Sequence, residues 1–140
     1  MIQYIKELSD FGLLILIWLV QLIIYPSFTY MEKANLITWH PKYTAMISIV
    51  VMPLMLLQIA STFYLTYNHF NWTLLIQSII IIALWLATFL EAVPLHNQIE
   101  SGIEIKEAAE NLVQVNWKRT IMWSVIVILN FIHRFTTLNN

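Results

Sequence analysis

At 140 residues the chain is 59% hydrophobic and 11% charged, with a mean hydropathy of +0.71, a balance that an ordinary soluble domain does not carry. A formal net charge of −1 offers no basis for nucleic-acid binding, and the absence of cysteine excludes disulfides, thiolate metal sites and cysteine nucleophiles. The two glycines, Gly12 and Gly102, supply neither a phosphate-cradling loop nor a GxxxG packing motif.

Charge-free runs cover residues 11–31, 43–90 and 120–133, and Asn68, His69 and Asn71 divide the second. Crossing about 30 Å of hydrocarbon takes roughly 20 helical residues. The runs are continuously apolar rather than alternating, which argues against a barrel. The expectation is therefore all-α: a single integral membrane domain of four transmembrane helices, at about residues 11–30, 42–67, 71–93 and 103–135. Short loops favour an up-down-up-down bundle. The first run is too long for a removable signal peptide and no small-residue cleavage pattern follows it.

In helix 1, Trp18, Gln21, Tyr25 and Phe28 share one face, and Pro26 loosens the helix and frees backbone carbonyls. His40 precedes Pro41 and reads as the cap of helix 2, with Tyr43 one turn on. Pro53 kinks the middle of that helix, and Gln58 points to the other end of the bundle. In helix 3, Trp85, Thr88 and Glu91 lie on one side, followed by Pro94, His96 and Asn97.

Helix 4 is different, because its charge-free run covers only about 21 Å at 1.5 Å per residue. It must extend back through Asn116, Lys118 and Arg119 or forward past His133 and Arg134. Lys118 and Arg119 point about 100° apart, so one of them faces protein; Glu91 either pairs with Arg119 or sits at the interface unpaired. Asn116, Arg119, Thr120 and Trp123 recur at helical spacing. Upstream, Ile105, Ala108, Ala109, Leu112 and Val113 form an apolar stripe, so helix 4 is extended by an amphipathic segment. Ser101 and Glu104 have the form of a capping box, which starts the helix near Gly102; an amphipathic helix lying on the surface and hinged near Asn116 is the competing picture.

Gln21, Tyr25, His40, Tyr43, Thr88, Glu91, His96, Asn116 and Arg119 thus fall at a single depth. Polar groups at membrane depth are costly to desolvate and tend to mark a site. The far half reads as almost wholly apolar, which argues against a channel or transporter. Five basic residues (Lys33, Lys42, Lys106, Lys118 and Arg119) stand at the polar end against Lys6 and Arg134 at the other. The positive-inside rule then puts the polar end in the cytoplasm and both termini outside, as for a bacterial inner-membrane protein.

The elements Tyr25-Pro26-x-Phe28, His40-x-x-Tyr43, Pro53-x-Met55, Val93-Pro94-Leu95-His96-Asn97 and Asn116-Trp117-x-Arg119-Thr120-x-x-Trp123 resemble an uncharacterised family of small bacterial four-helix integral membrane proteins. The Pro94-x-x-Asn97 stretch and the later Trp/Arg segment are more distantly similar to the anthrone oxygenase-like membrane family. The resemblance implies a helical bundle with a site for a lipophilic, aromatic small molecule. The bacterial pattern has a histidine before the Tyr-Pro pair, where this chain has Ile24; that departure argues against a metal or haem role for helix 1.

Three functions fit these residues. The first is an enzyme or binding protein for a lipophilic small molecule. His40 or Glu91 would act as base, Arg119 and Asn97 would hold an anionic oxygen, and Gln21, Tyr25, Tyr43, Trp85, Thr88, His96, Asn116 and Trp123 would line the site. The second is a haem or metal protein with His40 and His96 as axial ligands. The third is a non-catalytic accessory subunit, whose partner would be another membrane protein or a second copy of the chain. No cofactor is identified by the sequence, and no dedicated metal-ligand spacing occurs.

Overall fold

The computed structural model describes residues 1–138, and these form four long helices with no strand among them. They are α1 (Ile2–Tyr30), α2 (Lys33–Asn68), α3 (Trp72–Ser101) and α4 (Ile105–Leu138). The first three are long and apolar enough to cross a membrane; α4 is not among them. Its first half exposes Lys106, Glu107, Glu110, Gln114 and Lys118 and buries Asn116, Arg119 and Thr120 against the other helices.

Three helices run well past their expected bounds. Helix α1 starts at Ile2 rather than near residue 11, because Lys6, Ser9, Asp10, Leu13 and Ile17 form one buried stripe at helical spacing. Helix α2 starts at Lys33, so the expected first loop shrinks to Met31 and Glu32. His40 is therefore inside the helix instead of capping it. Leu36, His40 and Tyr43 are buried at helical spacing while Lys33 and Lys42 are exposed. That packing offsets the backbone hydrogen bond lost at Pro41, a cost of about 3 kcal/mol. Helix α3 continues to Ser101 and ends where Gly102 takes φ +79°, the left-handed conformation that glycine adopts without strain.

The Ser101/Glu104 capping box does not form. Ser101 Oγ donates to the Gln98 carbonyl within α3, and Glu104 sits outside α4 with φ +45°. Gly102 closes one helix rather than opening the next. Asn71 is a true cap, its side chain accepting from Leu74 N–H at 2.9 Å. Helix α4 runs unbroken through Asn116.

Two apolar clusters fill the interior. One gathers Tyr25, Phe28, Leu36, Tyr43, Ile99 and the α4 stripe Ile105, Ala108, Ala109 and Leu112. The other is a layer of Leu13, Ile17, Met55, Ile81, Leu84, Trp123 and Ile126.

Beyond that second layer, the half expected to be apolar contains a buried polar cluster drawn from all four helices. Lys6 Nζ donates to Asp10 Oδ2 and to Asn130 Oδ1, both at 2.7 Å. Asp10 also accepts from Gln58 at 2.7 Å and from Asn130 Nδ2 at 2.7 Å. Gln77 donates to Asn130 at 2.8 Å. Lys6, Asp10 and Gln58 have no exposed surface. A charge-free-run reading misses this cluster because its charges lie before the first run and its amides carry no charge. Lys6 is a buried partner of Asp10, not a solvated interfacial charge.

Removing one member of a buried ion pair strands the other, at a cost of about 3–5 kcal/mol. Lys6→Met should therefore lower stability by about that much in a denaturing-detergent titration, and adding Asp10→Asn should recover most of it. A double variant as unstable as the sum of its parts would contradict this pairing.

Candidate functional site

Two helices change pitch on the way into the site. Residues Val20–Ile24 in α1 and Thr88–Ala92 in α3 form wider π turns, each followed after one residue by a proline, Pro26 and Pro94. Proline cannot donate its backbone bond and its ring crowds the preceding turn, so a widened turn ahead of it relieves both problems. The π turn in α1 buries Gln21, Tyr25 and Phe28 together and leaves Trp18 at the surface, 38% exposed.

Gln21, Asn116 and Arg119 form the innermost polar group. Asn116 Nδ2 donates to Gln21 Oε1 at 2.9 Å, and Gln21 Nε2 donates to the Val113 carbonyl at 3.3 Å. Arg119 Nη1 donates to Asn116 Oδ1 at 3.0 Å, and its guanidinium lies 5.4 Å from the Trp123 ring centroid. Arg119 Nε is buried and has no partner. A buried donor left without an acceptor is costly.

A second chain of contacts runs outward. The Tyr25 hydroxyl is 3.0 Å from His96 Nε2, His96 Nδ1 is 2.9 Å from His40 Nε2, and His40 Nδ1 is 3.1 Å from Glu100 Oε1. Glu100 also accepts from Thr44 Oγ at 3.0 Å. The histidine rings are 5.0 Å apart between centroids, Phe28 packs edge-on against both His40 and Tyr43, and the Tyr43 ring is tilted against His40. The spacing repeats on facing helices: His40 and Thr44 lie one turn apart on α2, and His96 and Glu100 one turn apart on α3.

Both groups border a cavity of about 330 Å³. Its polar end is formed by Tyr25, Tyr43, His96, Asn97, Glu100 and Arg119, and its apolar walls by Ile17, Val51, Met52, Met55, Phe89 and Trp123. Ser48, Phe89, Asn97 and Glu100 line the cavity and are also exposed. The mouth therefore lies between α2 and α3.

Of the residues singled out by sequence, Tyr25, Tyr43, Thr88, His96, Asn97, Arg119 and Trp123 border this cavity. Gln21 and Asn116 stand behind it, holding Arg119, and His40 stands behind His96 with no exposed surface. Glu91 does not meet Arg119: it pairs with Lys118 at 2.6 Å near the surface. Arg119 is the inward member of the Lys118/Arg119 pair, as Lys118 is 58% exposed. Trp85 packs on the Phe89 ring outside the cavity lining, with its indole N–H buried and unpartnered. Sequence reading did not place Glu100, Thr44 or Ser48 in the site. The spacing of His96 to Glu100 was the available signal, hidden by ending helix 3 near residue 93.

The two histidines are close, but not in the manner of axial ligands. Imidazole nitrogens on opposite sides of one metal stand about 4 Å apart at metal–nitrogen distances of about 2 Å, whereas the facing nitrogens here are at hydrogen-bond distance, 2.9 Å. The remaining ring nitrogens are taken by Tyr25 and Glu100. This arrangement does not fit iron between the rings. Among the described residues no group of three or more histidines and carboxylates is arranged around a metal position.

Comparison with protein-family models, curated proteins and solved structures finds no match to this chain.

Asn116→Ala should lower stability by about 1–3 kcal/mol, because it leaves an Arg119 N–H unpaired in the interior and Gln21 Oε1 with only the 3.4 Å contact from Thr120. Asn97→Ala, at an exposed position, should change it by less than about 0.5 kcal/mol. Parallel detergent-denaturation curves would separate the two; equal effects would contradict the inner network.

Proposed function

We propose that this chain is an integral membrane protein that binds or transforms a lipophilic small molecule carrying an acidic oxygen. The observation that carries this reading is the buried, unpartnered Nε of Arg119 beside a mainly apolar cavity. Ligand pockets combine apolar walls with a few placed polar groups, and 330 Å³ lies at the small end of their range. The oxygen sits on Arg119, and the hydrocarbon part lies along Met52, Met55, Phe89 and Trp123. The mouth between α2 and α3 admits the molecule from the lipid side. The resemblance of the Pro94-x-x-Asn97 and Trp/Arg segments to the anthrone oxygenase-like membrane family points to the same class of ligand.

In this reading the chain is an up-down-up-down bundle with α4 as a fourth span, extended by its amphipathic first turns. The exposed basic residues support an orientation. Lys33, Lys42, Lys106 and Lys118 are exposed near the α1–α2 and α3–α4 connections, and Arg134 alone is exposed and basic toward the other end. Setting aside the buried Lys6 and Arg119 leaves the asymmetry at four to one. The positive-inside rule then puts the cavity toward the cytoplasm and the termini outside a bacterial inner membrane.

Native mass spectrometry of the protein released from lipid nanodiscs tests the ligand. Wild type should carry an organic adduct that Arg119→Gln loses while remaining folded. Ser48→Trp, which narrows the mouth from an exposed position, should lower its occupancy about tenfold, equivalent to about 1.4 kcal/mol. An adduct retained at full occupancy by both variants would place the ligand elsewhere.

A further inference from the structure

The contacts between Tyr25 and Glu100 have a direction. The Glu100 carboxylate only accepts, so it fixes the proton of His40 on Nδ1 and leaves His40 Nε2 as an acceptor. His96 Nδ1 must then carry the proton that it donates to His40, leaving His96 Nε2 to accept from the Tyr25 hydroxyl. One arrangement of protons satisfies all three contacts with both rings neutral, and in it every hydrogen points toward Glu100. Tyr25 faces the cavity at the inner end, 4% exposed, beside the Arg119 guanidinium. The side chain of Glu100 is 34% exposed at the outer end.

We infer that Tyr25, His96, His40 and Glu100 form a proton relay that ionises a hydroxyl acid bound in the cavity, of the phenol or enol class. This rests on the ligand reading above and names the chemistry of its oxygen.

In the step, the ligand O–H proton passes to the Tyr25 oxygen as the Tyr25 proton passes to His96 Nε2. The His96 Nδ1 proton moves to His40 Nε2, and the His40 Nδ1 proton moves to Glu100. The ligand becomes an anion, Glu100 becomes a neutral acid that releases its proton to water, and no electrons are exchanged. The new anion forms beside Arg119, whose Nε–H lacks a partner until then. The other titratable group facing the site is Tyr43, whose ring lies against His40 and Phe28.

The relay also selects the ligand. A carboxylic acid, ionising near pH 4, arrives already charged and has no proton to give, whereas a phenol, ionising near pH 10, arrives neutral. A neutral phenol also partitions into the lipid from which the mouth opens.

The test uses the full chain in nanodiscs with an alkyl nitrophenol, whose anion is coloured, and follows the colour of the bound probe after a pH jump. Glu100→Gln is the informative variant: its amide oxygen still accepts from His40 but cannot take up a proton. Wild type should bind the probe and ionise it quickly. The variant should still take up the probe, and the bound fraction should ionise about a hundredfold more slowly, within the range that positioned proton transfer contributes. An unchanged ionisation rate of the bound probe would overturn the relay and leave the ligand reading standing. A wild-type protein that takes up no nitrophenol would overturn both. Nitrogen NMR of the histidines provides a check without ligand: both rings should hold their proton on Nδ1, and a proton on Nε2 of either ring would overturn the direction of the relay.

Discussion

A polar group enclosed among apolar helices must find its partner inside the protein, and this constraint governs the whole fold. Amides, carboxylates and ammonium groups left alone there cost several kcal/mol each. The four helices meet it at two levels. Toward the chain ends, Lys6, Asp10, Gln58, Gln77 and Asn130 satisfy one another. Toward the helix connections, Gln21, Asn116 and Arg119 form one group and Tyr25, His96, His40 and Glu100 another. Two such levels on the same four helices fix both rotation and register, since slipping one helix by a single residue would turn its polar side chains away from their partners.

Trp123 joins the levels. Its ring receives the Arg119 guanidinium on one side, and its indole N–H donates to Gln58 at 3.4 Å, while Gln58 donates to Asp10. The apolar layer around it, with Leu13, Ile17, Met55, Ile81, Leu84 and Ile126, separates a neutralised ion pair from a cationic site. The lower cluster is closed, since each charge in it is met by its neighbours. The upper site is not, because Arg119, which borders the cavity, keeps one buried donor unmet.

The all-helical class and three helices long enough to span were legible in the charge-free runs, as were the buried face of helix 4 and, Trp18 apart, that of helix 1. The helix ends were not, because an amphipathic extension such as residues 33–42 contains charges that a hydropathy reading assigns to a loop. His40 was picked out, but as a cap; only the helical stripe Leu36, His40, Tyr43 shows it to be interior. Glu100 was hidden by the same error on α3. The Lys6 cluster escaped because neutral amides carry no charge signal and a lysine near a chain end resembles an interfacial anchor. Which partner Glu91 takes, Lys118 rather than Arg119, depends on the rotation of α4 and is not encoded in local spacing.

The most direct test of this account is an experimental structure of the protein in lipid nanodiscs with no ligand added. The account expects density for a compact organic molecule between α2 and α3, with an oxygen at hydrogen-bond distance from Arg119 Nε. A cavity closed by its own side chains, with Arg119 Nε bonded to protein, would contradict it, as would an acyl chain filling the space without touching Arg119.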